Sequence, residues 1–136
     1  MKTYSTNQIK NIALLGNAGS GKTTVAETML FEGGVIARRG DVDSKNTVSD
    51  FNQIEQENQT SMYSSVMYTE YNGKKINILD TPGHKDFAED TYRTLTAVDS
   101  AIVVIDVAKG VEQQTENLVR VCRMRNTPMI VFINKL

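Results

Sequence analysis

The sequence has few of the residues that mark secreted proteins or proteins that stack on nucleic-acid bases. Its 136 residues include one cysteine, no tryptophan, four phenylalanines and five tyrosines. A single cysteine excludes an internal disulfide and suits a reducing compartment. So few aromatic side chains argue against a base-stacking platform. The formal net charge of −1 gives no general attraction to nucleic acid, so any contact with RNA has to be local.

Long apolar runs are also lacking. The longest cover residues 101–105 and 129–133, whereas a membrane-spanning helix needs about 20 apolar residues. The first five residues contain no apolar signal region. These absences predict a cytoplasmic protein with no membrane partner, and the chain length fits one domain with a modest core.

The one cysteine, Cys122, lies four residues after Leu118 in a stretch with helical character. Residues four apart share a helix face, and a free cysteine is usually buried. The sequence therefore predicts that Cys122 packs in the core rather than acting as a reactive thiol.

Strand-like and helix-like segments alternate along the chain. We predict strands over residues 11–15, 62–71, 75–79, 100–106 and 128–133, and helices over residues 22–31, 85–97 and 111–125. Continuous Val and Ile runs between helices indicate a mostly parallel sheet with helices on both faces. The pair Asn72-Gly73 predicts a hairpin, which adds one antiparallel edge strand. The expected fold class is therefore α/β with three α/β/α layers. The polar stretch 35–61 is expected to be a long functional loop.

A phosphate-binding loop follows the first predicted strand, where the sequence matches G-x-x-x-x-G-K-T. Its residues are Gly16, Asn17, Ala18, Gly19, Ser20, Gly21, Lys22 and Thr23, with Thr24 next on the helix. Glycines allow the backbone N–H groups to turn towards phosphates, and the helix N-terminus favours the same anion. Lys22 is expected to neutralise the outer phosphates and Thr23 to bind Mg²⁺. The alternative, a glycine-rich turn with a chance lysine, has a frequency on the order of one in a hundred or less.

A second motif, Asp80-Thr81-Pro82-Gly83, ends the predicted strand 75–79. A carboxylate at this place is suited to hold Mg²⁺ opposite Thr23. Gly83 is placed for its backbone N–H to meet the γ-phosphate, which gives it a catalytic role. The alternative is an ordinary turn in which Asp80 accepts a backbone hydrogen bond.

The pair Asn134-Lys135 follows the last predicted strand. It matches the start of N-K-x-D, the motif that recognises guanine: the asparagine contacts the base and supports the phosphate loop, and the lysine packs over the ring. These two residues favour GTP over ATP as the bound nucleotide.

With His84, the second motif becomes Asp80-Thr81-Pro82-Gly83-His84, which resembles the D-T-P-G-H motif of the translational GTPases. Residues 86–100 and 108–112 are similar to peptide chain release factor 3, and the first fifty residues look more like elongation factor G. The resemblance implies a GTPase with GTP/GDP and Mg²⁺ as cofactors and the ribosome as partner. It also implies that His84 orients the attacking water next to large-subunit RNA. The alternative for His84 is an ordinary surface histidine.

The chain departs from the family pattern at the end of its long loop. The family has E-x-x-R-G-I-[ST] there, whereas this chain has Asn58-Gln59 in place of Arg-Gly. Ser61 falls on the position of the Mg²⁺-binding hydroxyl, and Thr60 is its rival if the register slips by one. Loss of the glycine and the arginine removes backbone freedom and a phosphate or RNA partner. We therefore expect slower or less tightly coupled hydrolysis.

The second departure is where the sequence ends, one residue short of the aspartate of N-K-x-D. We expect residues 1–136 to be an incomplete GTP-binding domain without its last helix, strand and helix. The strand over 129–133 would then be a bare apolar edge, which is an association hazard. Weak nucleotide binding, weak GTPase activity and self-association are expected.

Two other function classes remain open at this level. One is a ribosome-binding or protection factor in which nucleotide gates binding and hydrolysis matters little, which the change at Asn58-Gln59 favours. The other is a phosphate-loop ATPase or small-molecule kinase, which His84 and Asn134-Lys135 disfavour.

Overall fold

A computed structural model describes residues 3–40, 44, 46–48, 64–84 and 88–136 of the chain. After a short 3-10 helix at Thr6–Gln8, strands and helices alternate as the sequence predicts. The elements are β1 (Ile9–Leu15), α1 (Lys22–Glu32), β2 (Ser65–Tyr71), β3 (Lys74–Asp80), α2 (Ala88–Thr94), β4 (Ser100–Asp106), α3 (Gln113–Met124) and β5 (Met129–Asn134).

The strands form one five-stranded sheet in the order β2-β3-β1-β4-β5. β1 is central and pairs in parallel with β3 and with β4, and β5 pairs in parallel with β4. Only β2 runs antiparallel, at the edge beside β3. The turn between them has Asn72 at φ 48° and Gly73 at φ 70°, as a two-residue hairpin turn requires. The predicted mostly parallel sheet with one antiparallel edge strand is confirmed.

Two apolar clusters cover opposite faces of this sheet. Ala13 and Leu15 of β1 pack with Leu118 and Cys122 of α3, whereas Leu14 packs with Ala26 and Leu30 of α1. Alternate residues of a strand point to opposite faces, so β1 contributes to both clusters and is buried on both sides. The three-layer arrangement and the burial of Cys122 agree with the sequence prediction.

Several element boundaries differ from the sequence prediction. The helix predicted over 85–97 is described as Ala88–Thr94, with residues 85–87 outside the described part of the chain. It ends early because Thr96 N and Ala97 N bond three residues back, to Arg93 O and Thr94 O, which tightens the last turn. The strand predicted to begin at residue 62 is described from Ser65, with residues 62 and 63 outside the described part of the chain. The N–H of Ser64 bonds the Asp90 carboxylate.

The last strand, β5, lies at the edge of the sheet and is apolar but largely exposed. Its exposed fractions are 63% for Ile130, 60% for Val131, 43% for Phe132 and 52% for Ile133. An apolar edge strand presents backbone groups and side chains to which another chain could add. Among the described residues, no helix has the length and apolar character needed to cross a membrane.

Candidate nucleotide-binding site

The phosphate loop lies between the carboxyl end of β1 and the first turn of α1. Gly21, which immediately precedes the helix, has φ 96°, and a Cβ at this position would collide with Nδ2 of Asn134. Only glycine meets both demands without strain. Helix α1 begins directly after this loop. Its first backbone N–H groups therefore lie beside the loop, as an anion site at a helix N-terminus requires.

Lys22 is folded back on the loop that precedes it. Its Nζ donates to the carbonyl oxygens of Gly16 at 3.0 Å and Asn17 at 2.9 Å, and the residue is only 6% exposed. A Cβ at Gly83 would lie 2.5 Å from the same Nζ. The ammonium group is thus held between the phosphate loop and the turn that follows β3.

Thr23 and Asp80, the two residues predicted to share Mg²⁺, meet in the interior. The Thr23 hydroxyl donates to Oδ2 of Asp80 at 2.7 Å, with the residues 9% and 1% exposed. They come from α1 and from the end of β3, which adjoins β1 in parallel register. A hydroxyl and a carboxylate oxygen are hard ligands of the kind Mg²⁺ prefers. This donor set therefore fits the ion.

The turn after β3 is fastened at two points. Oγ1 of Thr81 donates to Leu14 O at 2.6 Å, and Oγ1 of Thr91 in α2 donates to Pro82 O at 3.3 Å. These bonds hold Gly83 so close to the phosphate loop that a Cβ would collide with the backbone nitrogen of Ala18. His84, the next residue, is exposed.

Asn134 and Lys135 bind the phosphate loop from the end of β5. Nδ2 of Asn134 donates to Ser20 O at 3.0 Å, and Nζ of Lys135 donates to Gly19 O at 2.6 Å. Lys135 has φ 61°, in the left-handed region that side chains rarely adopt. Strained backbone of this kind is concentrated at functional sites.

Asp106, at the end of β4, is a site residue that the sequence reasoning missed. Its Oδ2 accepts Nζ of Lys135 at 2.8 Å, and its Oδ1 accepts the N–H of Ala108 at 3.0 Å. The hydrogen bond from Lys135, followed by the bond from Ala108, holds the pKa of Asp106 below its ordinary value of 3.8. Its position in the sequence could have indicated this role, because Asp106 lies at the carboxyl end of a buried strand, as Asp80 does on β3.

A second missed residue, Thr115 of α3, supports the front of the loop. Its hydroxyl donates to Oδ1 of Asn17 at 2.9 Å, and the residue is 3% exposed. No local pattern indicated this contact, because the partners are 98 residues apart.

The remaining predicted residues lie at the margin of the site or beyond the description. Thr24 is exposed in the first turn of α1, where its carbonyl accepts the hydroxyl of Thr28. Ser61, with its rival Thr60, lies outside the described residues, as does the altered pair Asn58-Gln59.

The chain resembles known proteins over nearly its whole length. The family model "Elongation factor Tu GTP binding domain" matches residues 7–136. Peptide chain release factor 3 of Ligilactobacillus salivarius is 52% identical over 136 residues, which cover 97% of this chain and 26% of that protein. The same factor of Listeria monocytogenes serotype 4a is 53% identical over 131 residues, 93% of this chain and 25% of that protein. The chain thus spans about a quarter of the length of these relatives.

Solved structures show the same fold. A crystal structure of a Thermus thermophilus protein superposes with a TM-score of 0.88 at 32% identity, over 93% of this chain and 19% of that chain. Translation elongation factor SelB of Methanococcus maripaludis, solved with the GTP analogue GppNHp, gives a TM-score of 0.70 at 20% identity, over 93% of this chain and 22% of that chain.

Proposed function

Since the chain belongs to the elongation factor Tu GTP-binding domain family, we propose that it binds GTP and GDP with Mg²⁺ and hydrolyses GTP to GDP and phosphate. We place it in a ribosome-associated translation factor of the release factor 3 or elongation factor G type. None of the comparisons favours the alternative of a protection factor with little GTPase activity.

The observation that carries the guanine assignment is the contact of Asn134 and Lys135 with the phosphate loop. Their bonds to Ser20 O and Gly19 O support this assignment, because the pair proposed to read guanine contacts the loop proposed to bind the phosphates. The match of this pair to the start of N-K-x-D is what favours GTP over ATP. The nucleotide base would therefore lie at the β5 side of the loop.

The residues around the outer phosphates divide the work of hydrolysis. Mg²⁺ at Thr23 and Asp80 would supply positive charge that neutralises the phosphates. Lys22 adds its ammonium group from the loop, and the N–H of Gly83 binds the γ-phosphate. His84 orients the attacking water, with catalysis arising mainly from positioning and charge neutralisation. Ser61 is proposed as a further hydroxyl ligand of Mg²⁺ on the basis of the family pattern alone.

The exposure of His84 supports a role for the ribosome in activation. An exposed histidine at the end of a fastened turn is accessible to an external macromolecule. We propose that large-subunit RNA holds His84 in the position from which it orients the attacking water. We also propose that the protein acts in the cytoplasm and that GTP hydrolysis by this chain alone is weak.

Self-association through β5 is a separate proposal. Four consecutive apolar residues of this edge strand are at least 43% exposed. A second copy of the chain could add its own β5 to the same edge, with backbone hydrogen bonds as the main attraction.

The test of the nucleotide proposal is titration of fluorescent GDP and GTP analogues with unlabelled ATP as competitor, in Mg²⁺ buffer. Lys22→Ala should weaken binding by roughly 10-fold or more, because charge-assisted hydrogen bonds contribute about 1.5–3 kcal/mol. The matched control is Lys74→Ala, at an exposed lysine in β3. Equal competition by ATP would refute the guanine assignment, and equal binding by the Lys22 variant would refute the phosphate site.

A further inference from the structure

Lys109, in the turn after β4, is an exposed lysine to which the proposed reaction assigns no role. Its Nζ lies 3.8 Å from the position that a Cβ on Gly19 would occupy. Among the described residues, no other atom lies within 4 Å of that position, apart from Gly19 and its two chain neighbours. Gly19 is itself exposed, so the ammonium group faces this part of the phosphate loop with no side chain between them.

The backbone of this turn holds Lys109 in place. The carbonyl oxygen of Asp106 accepts the N–H groups of Lys109 at 3.2 Å and of Gly110 at 2.8 Å. Gly110 has φ 69°, in the left-handed region that glycine adopts without strain. The N–H of Val107 bonds Asn134 O at 3.0 Å, which joins the turn to the end of β5. The Lys109 side chain therefore starts from a fixed backbone beside the loop.

The ammonium group of Lys109 has no bonded partner in the part of the chain that the structure describes. Asp106, the acidic residue of the same turn, already uses both of its carboxylate oxygens. Oδ2 accepts from Nζ of Lys135 at 2.8 Å, and Oδ1 accepts the N–H of Ala108 at 3.0 Å. The hydrogen bond from Lys135 is the main cause of the lowered pKa of Asp106, and the charge of Lys109 is a smaller one. Lys109 thus lies near this carboxylate without forming an ion pair with it.

The charged side chains already assigned to the site leave room for the effect of a further cation. Lys22 and Lys135 are positively charged, and Asp80 and Asp106 are negatively charged, so these four formal charges cancel. A nucleoside diphosphate or triphosphate carries more negative charge than the divalent Mg²⁺ offsets. The unpaired ammonium group of Lys109 therefore supplies a surplus positive charge beside the loop, which attracts an anion to it.

We propose that Lys109 is a nucleotide-binding residue whose ammonium group attracts the phosphate groups of GDP and GTP from the side of the loop that Gly19 leaves open. The inference rests on the proposed function, which assigns those phosphates to the loop from Gly16 to Thr23. Because the ammonium group is exposed, its effect on affinity should be modest and sensitive to salt. Since the loop is proposed to bind both nucleotides, the effect should be the same for GDP and for GTP.

The test compares Lys109→Met, which removes the charge and keeps most of the side-chain length, with Lys109→Arg, which keeps the charge. Lys74→Met is the matched control, because Lys74 is an exposed residue at the start of β3, whereas Asp80 ends that strand. At about 3.3 Å per residue, the strand separates the two by about 20 Å. Each chain is titrated with fluorescent GDP and with a fluorescent non-hydrolysable GTP analogue, in buffers of about 0.1 M and about 1 M salt. Stopped-flow association rates and Tm are measured on the same samples.

At the lower salt concentration we expect Lys109→Met to reduce the affinity for both nucleotides by about 3-fold, within the range of about 1.5- to 5-fold typical of an exposed ion pair. Most of this loss should appear in the association rate, because an exposed charge at the site steers the anion towards it. At the higher salt concentration, where the Debye length is about 3 Å, the difference should fall below about 1.5-fold. Lys109→Arg and Lys74→Met should match the wild type, and Tm should be unchanged in all three variants.

Two results would overturn the inference. One is wild-type affinity of Lys109→Met at the lower salt concentration. The other is a loss of affinity that Lys109→Arg shares or that persists at the higher salt concentration, which would indicate packing rather than charge.

Titration with inorganic pyrophosphate, followed by the amide NMR signal of Gly19, separates this inference from the proposed function. If the wild type binds pyrophosphate but no guanine nucleotide, only the guanine assignment fails, and the same three variants then test Lys109 with pyrophosphate as the anion. A wild type that binds neither would refute both the proposed function and the role of Lys109.

Discussion

The bond between Thr115 and Asn17 gives a direct test of how the phosphate loop is supported. Thr115→Val removes the hydroxyl that donates to Oδ1 of Asn17 at 2.9 Å, while the side chain keeps nearly the same shape. Thr115 is 3% exposed, whereas Asn17 is half-buried, so water can replace the lost donor only in part. The substitution therefore removes the hydrogen bond between α3 and the loop without opening a cavity.

The expected loss follows from the partly buried character of the bond. A neutral hydrogen bond contributes about 1 kcal/mol, and an acceptor left unsatisfied in the interior costs about 1–3 kcal/mol. Because this contact is only partly buried, we expect about 1–2 kcal/mol. If nucleotide binding has to restore the conformation of the loop at this cost, nucleotide affinity falls by roughly 5- to 30-fold at most. The affinities for GDP and for GTP should fall equally, since the phosphate loop that contains Asn17 is proposed to bind both nucleotides.

The assay is nucleotide titration together with thermal unfolding. A loss of this size should lower Tm by about 3–10 °C in a chain of this length. Thr96→Val is the matched control, since its hydroxyl bonds Arg93 O at an exposed position, and surface changes are usually within about 0.5 kcal/mol. Wild-type affinity and Tm in Thr115→Val would refute the view that α3 supports the loop.

Four further predictions concern the core, the thiol, the acid response and the edge strand. Leu118→Ala should destabilise the chain by about 2–5 kcal/mol in urea unfolding, because Leu118 is 1% exposed; a change under about 1 kcal/mol would contradict its place in the core. Burial raises the pKa of Cys122, so iodoacetamide should label it only after unfolding, and fast labelling of the native chain would disprove this. The bond from Lys135 lowers the pKa of Asp106 below 3.8, so its stabilisation is present above about pH 4 and lost as pH falls further. Asp106→Asn should flatten that acid-induced loss of Tm, and an unchanged slope would count against the pair. Val131→Lys should abolish any concentration-dependent association seen by size-exclusion chromatography, and persistence of association would exclude β5 as the interface.

The parts of the molecule that sequence reasoning identified are those encoded by neighbouring residues. The phosphate loop needs Gly16 to Thr23 in one run, and Asp80 stands at the end of a recognisable strand. The continuous Val and Ile runs and the Asn72-Gly73 turn also predicted the mostly parallel sheet correctly, including its antiparallel edge strand. Element ends were less accurate: α2 ends at Thr94 rather than at residue 97, because the N–H groups of Thr96 and Ala97 bond three residues back.

Contacts across long sequence separations were predictable only for residues that belong to a motif, as Asp80 and Asn134 do. Glu27 bonds partners 13 and 21 residues away, and Thr115 bonds a partner 98 residues away. Neither Glu27 nor Thr115 belongs to a motif, and in isolation each would be taken for an ordinary helix residue. Their roles exist only once the sheet order brings α1, α3 and the loop together.

The shape of the phosphate loop therefore depends on elements that contribute nothing to its motif. Its front is held by Thr115 from α3, and its back by Asn134 and Lys135 from the end of β5. Asp106 fixes Lys135 in turn, so β4 and β5 act on the loop together through their parallel register, in which Asp106 pairs with Asn134. If Asn134 contacts the base as proposed, that contact is one bond away from the backbone of the phosphate loop. Base recognition and phosphate binding would then be coupled, and a substitution that shifts β5 along β4 should weaken both at once.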